Sequence, residues 1–404
     1  MSMQGANSEK ILISGIGLIS AIGSNVQECL EALSSGRTGI GRAQFLQTRH
    51  KDEFMLGEVK LSNEQLFDIL AISEEDRIRH TRTSLLALSA GREALLDAGF
   101  KPGDFGGRRI GIISATTIGG MDKSENSYPT RDLASGFVQT HPSGDSTDKL
   151  GEYLGIDAYR STLSTACSSA ANAIMHGARL IHHGYLDAVL VGGVDPLSRF
   201  TLNGFNALMI LDREWCCPFD QNRRGLNLGE GAGFIVIEKE SSVKERAAKS
   251  YCSLAGYANA NDAYHQTASS PDGEGAFMSM SKALEMSGLR PDEIDYVNVH
   301  GTGTSNNDLS EGLALKRVFG DTLPPFSSTK AFTGHTLGAA AGVEAVISIL
   351  AIEHGLIFPN LNFSEPIVEF GVAPVTKLIS RPVRTVLSNS FGFGGNNSTL
   401  IFSR

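Results

Sequence analysis

The sequence predicts an α/β fold made of two similar halves packed into one body, and three observations carry that expectation. Buried-strand patterns alternate with helical ones, which points to a core of parallel strands with helices on their faces. Two strand ends look alike: RIGIISATT (109–117) and DYVNVHGTG (295–303) each run from an apolar strand into small polar residues. A tight turn leading into a small-residue helix also occurs twice, at 161–184 and at 332–352. Self-similarity at about half the chain length marks a duplicated architecture. No low-complexity linker separates the copies, so the chain divides into halves at 1–250 and 251–404.

In chain order, 10–23 (KILISGIGLISAIG) reads as a buried strand and a glycine-rich turn. Gly15 and Gly17 resemble a dinucleotide loop, but Ser20 occupies the third glycine position and no acidic residue closes a second strand. Tight packing is the plainer reading of these glycines. Residues 25–35 form a capped helix pattern, and 74–98 (EEDRIRHTRTSLLALSAGREALLDA) a long amphipathic one. The run 109–114 is a second buried strand and 187–195 (DAVLVGGVD) a third, echoed by 386–395 (VLSNSFGFGG). The glycine-dense segment 219–233 (FDQNRRGLNLGEGAG) leads into the strand 234–238, its charges holding a loop or facing water.

A net charge of −9 argues against nucleic acid and anionic membranes as main partners. The longest apolar run read from the sequence, 11–23, is too short and too rich in Gly and Ser to insert in a membrane. The N-terminal stretch 1–10 is polar and lacks a secretory pattern. Five cysteines (Cys29, Cys167, Cys216, Cys217 and Cys252), without CxxC spacing, indicate neither a disulfide framework nor a zinc site. A cytoplasmic protein without a metal is the expectation.

The chemistry centres on 161–184 (STLSTACSSAANAIMHGARLIHHG). A β-capable lead runs into Thr165-Ala166-Cys167 and then a helix of small apolar residues, the kind buried between other elements. Cys167 at the first turn of that helix would meet unpaired N–H groups and the positive helix end, which favour a thiolate. An inert buried thiol is the commoner fate of such a cysteine. His300 and His335 sit at equivalent places, past strand ends and among Gly, Thr and Ala that leave room for a substrate. Sites in α/β sheets form beyond the carboxyl ends of strands, and a cysteine with two histidines can ionise a thiol, polarise a carbonyl and shuttle protons near neutral pH. The other eight histidines read as structural or surface residues. Lys330 could tune His335 or pair with a carboxylate such as Glu344. The loop Phe391-Gly392-Phe393-Gly394-Gly395 could supply an oxyanion donor and a gate, or be a turn with two core phenylalanines.

Four separated motifs, in order, resemble those of β-ketoacyl-[acyl-carrier-protein] synthases, the elongating condensing enzymes of the thiolase superfamily: Thr165-Ala166-Cys167-Ser168-Ser169, Val299-His300-Gly301-Thr302-Gly303-Thr304, Lys330-Ala331-Phe332-Thr333-Gly334-His335 and Asn389–Gly395. Pro218–Gly233 and Asp262-Ala263-Tyr264-His265 are similar to theirs as well, so the resemblance spans nearly the whole chain. It implies a thiolase-like five-layered α/β/α/β/α fold, usually a homodimer, that consumes no cofactor. Cys167 would take an acyl group from acyl carrier protein, and malonyl-carrier would bind beside His300 and His335, lose CO2 and attack the thioester. Backbone N–H groups of Cys167 and Phe393 would form the oxyanion hole, and Lys330 would support His335. Phe393 would gate an acyl pocket lined by Phe391, Phe205 and Ile118, and Thr267, Thr302 and Thr304 would contact the substrate or its phosphopantetheine arm.

The resemblance also separates relatives. The glycine loop lacks the second cysteine of degradative thiolases, and His335 stands where initiating synthases carry Asn. Cys167 argues against a silent chain-length factor, while a heterodimer with such a partner stays open. Two departures concern the acidic carrier. Glu74 and Glu75 begin the early helix, leaving Arg77, Arg79 and Arg82 as docking candidates, and Met209 stands where an arginine is expected. Asn396 replaces the usual Thr after the double glycine.

Overall fold

The computed structural model describes residues 9–404. Residues 1–8, most of the stretch read as lacking a secretory pattern, lie outside the described residues. In chain order the strands are β1 (Ile11–Ser20), β2 (Ile110–Ala115), β3 (Tyr159–Leu163), β4 (Ala188–Asp195), β5 (Gly231–Lys239), β6 (Cys252–Asn261), β7 (Tyr296–Asn298), β8 (Phe326–Ser327), β9 (Leu356–Ile357), β10 (Ile379–Ser380), β11 (Thr385–Gly392) and β12 (Asn396–Ser403). Strands β9 and β10 pair by themselves, and the other ten form one sheet in the order β3-β2-β4-β5-β1-β6-β12-β11-β7-β8. Taken from its far edge, the second part runs β8-β7-β11-β12-β6, so each part has the same sequence of third, second, fourth, fifth and first strand. The duplication read from the repeated motifs is thus a duplication of topology. The parts join edge to edge through a short antiparallel pairing, Leu12 with Ser253 and Ile13 with Cys252.

The expectation of a purely parallel core needs correction. Strands β3, β2 and β4 are parallel, as are β8, β7 and β11, but β5 and β1 in one half and β12 and β6 in the other run antiparallel to their neighbours. The reason lies in the connections. After β4 the chain stays at the carboxyl end of the sheet through residues 196–230, so β5 must run back. After β11 a three-residue loop turns straight into β12. Both connections therefore lie where strand ends expose side chains to substrate.

Helices complete five layers. The Arg82–Asp97 helix covers one outer face over β1, β4 and β5, and Glu274–Ser287 covers the other over β6 and β12. Between the two halves of the sheet lie Ser169–His182, against β4, and Ala340–His354, which contacts β5 and β11 at once. Every residue of the latter from Ala340 to Ile352 is buried, which explains its small and aliphatic composition. With its lead-in turn, Leu337–His354 is long and apolar enough to cross a membrane, unlike the 11–23 run singled out above. However, 89% of it is buried inside the protein, as a core helix requires.

The single helix expected over 74–98 is two pieces. Arg77–Arg79 form one 3-10 turn, and the long helix begins at Arg82 behind a capping box of Thr81 and Ser84. The box satisfies helix-end N–H groups and so fixes the start. Gly15 and Gly17 lie within β1, not in a nucleotide loop. A Cβ on Gly17 would come within 2.0 Å of the Ala90 carbonyl, so these glycines let the Arg82–Asp97 helix approach the strand.

Candidate active site

Cys167 lies between β3 and the central Ser169–His182 helix, one residue before the N-cap Ser168 rather than in the first turn. Ala166, just ahead of it, takes φ 54°, a left-handed conformation that costs about 1–2 kcal/mol for a non-glycine residue. Backbone strain of this kind persists where the surroundings enforce it. His335 arrives from the other half and puts Nε2 3.0 Å from Cys167 Sγ. Its backbone is fixed by the 219–233 segment: His335 N–H donates to Asn227 O at 2.7 Å, and Gly229 N–H donates to His335 O at 3.0 Å. Of the charges in that segment, Asp220 holds the Ser364–Glu365 backbone and Glu230 pairs with Arg82, while Arg224 is largely exposed.

His300 stands edge-on to His335, with ring centroids 5.4 Å apart. Its N–H and that of Gly301 donate to the two oxygens of buried Glu311, each at 2.8 Å. Asn389 Nδ2 donates to the same carboxyl at 3.0 Å. Burial pushes Glu311 up to about 7. Lys330, wholly inside, donates to the His300 carbonyl at 2.5 Å, sits 3.4 Å from His300 Nδ1, and pairs with Glu344. Lys330 thus pairs with Glu344, one of the two roles expected of it, and touches His300 as well; its charge reaches both rings. Burial first, and Lys330 next, hold both imidazoles well below their usual 6.5. A cation on Nδ1 makes that nitrogen the acceptor, so His300 presents Nε2–H to the cleft.

The helix end does not leave Cys167 as a thiolate. Burial pushes the thiol up to about 12, against the opposing pull of Lys330 and of the Phe393 N–H that hydrogen-bonds the sulfur. The resting pair is a neutral thiol beside a neutral imidazole.

Cys167, His300 and His335 open on a cleft of about 120 Å³, which Phe205, Thr267, Thr302, Thr304, Phe391 and Phe393 also line. Phe205 stacks on Phe393 with centroids 5.9 Å apart, and Phe391 packs on His300 at 5.6 Å. Thr302 and Thr304 hydroxyls lie 2.8 Å apart. Ile118 does not line this cleft. The preceding Thr116 and Thr117 hydroxyls donate to Asp195 at 2.6 and 2.7 Å and draw the chain against the end of β4. Arg82 is a second correction. Its guanidinium is buried on Glu230 at 2.6 and 2.8 Å and on Asn63 at 2.8 Å, so it cannot meet a carrier. Arg77 and Arg79 remain partly exposed, paired with Glu64 and Asp68, and with Asp76 and Glu152. Met209 is 88% exposed. Among the described residues no cluster of His, Cys, Asp or Glu could hold a metal ion.

Family models match in the same arrangement: the N-terminal domain of β-ketoacyl synthase over residues 8–242 and its C-terminal domain over 251–364. The chain belongs to the β-ketoacyl synthase family. This synthase is 32% identical to a 3-oxoacyl-[acyl-carrier-protein] synthase 2 of Staphylococcus aureus, over 99% of both chains. Among solved structures it is similar to the ishigamide ketosynthase/chain length factor (TM-score 0.91, 30% identity, 98% of this chain and 99% of that one). It also resembles the ketosynthase ApeO in complex with its chain length factor ApeC from Xenorhabdus doucetiae (TM-score 0.85, 32% identity, all of both chains). The synthase is accordingly a carbon–carbon bond-forming acyltransferase of the thiolase-like fold. Glu311, Asp308 and Asn227, which hold the backbone around both histidines, carry no signal in the sequence beyond lying near the motifs.

Proposed function

We propose that the protein condenses an acyl thioester carried on Cys167 with malonyl-[acyl-carrier-protein] to give 3-oxoacyl-[acyl-carrier-protein]. The observation that carries this reading is the convergence of Cys167, His335 and His300 on one cleft, with Cys167 Sγ 3.0 Å from His335 Nε2. As Cys167 attacks the acyl carbonyl, its proton passes to His335. The oxyanion forms against the Cys167 and Phe393 N–H groups, and the phosphopantetheine sulfur leaves with the proton that His335 had taken up. Malonyl-carrier then enters along Thr267, Thr302 and Thr304. Loss of CO2 leaves an enolate whose oxygen accepts hydrogen bonds from His300 and from His335, the latter once its ring proton has moved to Nε2. Its carbon attacks the thioester, and the Cys167 sulfur leaves as a thiolate that takes up a proton from solvent to restore the resting thiol. Fixed donors of this kind stabilise charge where it develops. Lys330 and Glu344 position His300, and Phe393, stacked on Phe205, gates the acyl side. No cofactor is consumed.

The carrier partner we assign is a dedicated acidic acyl carrier protein of a secondary-metabolite pathway. The buried Arg82 and exposed Met209 support that choice, because they leave only Arg77 and Arg79 of the expected basic residues at the surface. One face exposes Tyr128, Leu133, Val138 and Phe200, at 72%, 70%, 53% and 58%. We assign it to a dimer, with a second copy or with a chain-length factor. Two further assignments are a division into halves at 250/251, which the repeated strand order supports, and a cytoplasmic location, which five unpaired cysteines suit. The test is reconstitution with a panel of acyl- and malonyl-loaded carriers. The reading requires CO2 and a 3-oxoacyl-carrier product with at least one of them, and their absence with every carrier would refute it.

A further inference from the structure

We propose that Asn396 is a positioning residue that registers the two oxyanion donors, one from each half of the chain. Asn396 Oδ1 accepts from the Ser168 hydroxyl at 2.6 Å, from Asn259 Nδ2 at 2.7 Å and from Asn172 Nδ2 at 3.0 Å. Ser168 follows the nucleophile at the N-cap position of its helix, and Asn172 Nδ2 also reaches back to Thr165 Oγ1 at 2.9 Å. Asn396 therefore clamps the turn that carries Cys167. It also opens β12, directly opposite Gly392 in the β11–β12 register. Between them lie only Phe393, Gly394 and Gly395, the two glycines at φ 81° and 77°.

Gly392 itself is pressed on the same turn: a Cβ there would lie 2.9 Å from Thr165 O and 3.2 Å from Cys167 N. Both ends of the three-residue loop are thus seated on the Thr165–Ser168 turn, and the loop holds Phe393 N–H on the Cys167 sulfur. Two consecutive glycines have little stiffness of their own. Gln266, Asn261 and Asn397 hydrogen-bond the two glycines, and the Oδ1 atom of Asn396 ties the loop base to Ser168. A threonine hydroxyl lies one bond nearer the backbone than Oδ1 of asparagine and so reaches less far into this network.

This inference rests on Cys167 as the nucleophile and on His300 and His335 as the decarboxylation site. An oxyanion donor acts on acyl transfer and not on malonyl decarboxylation, which the histidines serve, so the two steps separate the role from general damage. Loss of a whole donor lowers a rate about 10²–10³-fold, and a displaced one by about tenfold or more. Asn396→Ala is expected to slow acyl-enzyme formation by about tenfold or more, read by intact mass, with CO2 release from malonyl-carrier within about threefold of wild type. Asn396→Thr should fall between, and Ser168→Ala added to Asn396→Ala should slow acylation little further, as for residues of one network. Unchanged acylation in Asn396→Ala, or a parallel fall in both steps, overturns the positioning role. Acyl uptake by Cys167→Ala would instead overturn the reading beneath it.

Discussion

Nε2 of His335 lies 3.0 Å from Sγ of Cys167, and the two residues stand 168 positions apart in the chain. Each follows a turn into one of the two central helices, so the duplicated topology places them face to face. Burial pushes the thiol up, and the imidazole 3.0 Å away is the group placed to take its proton.

His335→Ala should therefore slow acyl-enzyme formation by about 10²–10⁴-fold near pH 7, the range for loss of a general base. The residual rate should climb steadily between pH 7 and 10, because thiolate then has to form without a partner. Intact-mass kinetics across that range measure both effects, and a pH-independent residual rate would count against the proton transfer.

Malonyl decarboxylation should show no loss of rate near pH 6.5. Both imidazoles are held well below that value, so they stay neutral as the pH falls past it. A CO2-release profile that halves near 6.5 would show a histidine titrating as though exposed.

The same shifts bear on stability. In the unfolded chain these histidines bind protons below about 6.5, while in the folded protein they do not, so stability is fully present above that pH and declines as the pH falls. Replacing His335 with Gln should flatten the decline between about pH 6.5 and 5 in denaturant titrations. An unaltered slope would contradict the assignment.

Arg82→Ala should destabilise the protein by about 3–5 kcal/mol, because it leaves Glu230 buried without its partner. Among chains that remain folded, the KM for the carrier should be unchanged. A raised KM at wild-type stability would restore Arg82 to the docking surface.

Much of the site was legible because its residues stand out locally. Cys167, His300 and His335 lie among small residues past strand ends, where a bulky reactive side chain has no packing role. Glu311 was not legible. It sits in SNNDLSEGLALKRVF, a helix whose charges suggest a solvated face, yet the side chain is buried on the His300 turn. Strands β6 and β12 escaped notice because CSLAGYANAN and NNSTLIFS mix small and polar residues; they are buried by their neighbours rather than by their own apolarity. The break before Arg82 depends on a capping box whose second member is Ser84 rather than the usual Glu or Gln. Asn396, without meaning in the sequence, gains one only when the fold brings Ser168, Asn172 and Asn259 to it.

The most direct test is the intact mass of the protein after incubation with acyl-loaded carrier. The account predicts a gain of one acyl group on the wild type, located at Cys167 by peptide mapping, and no gain on Cys167→Ala. A stable acyl adduct on Cys167→Ala, or on another residue of the wild type, would contradict it.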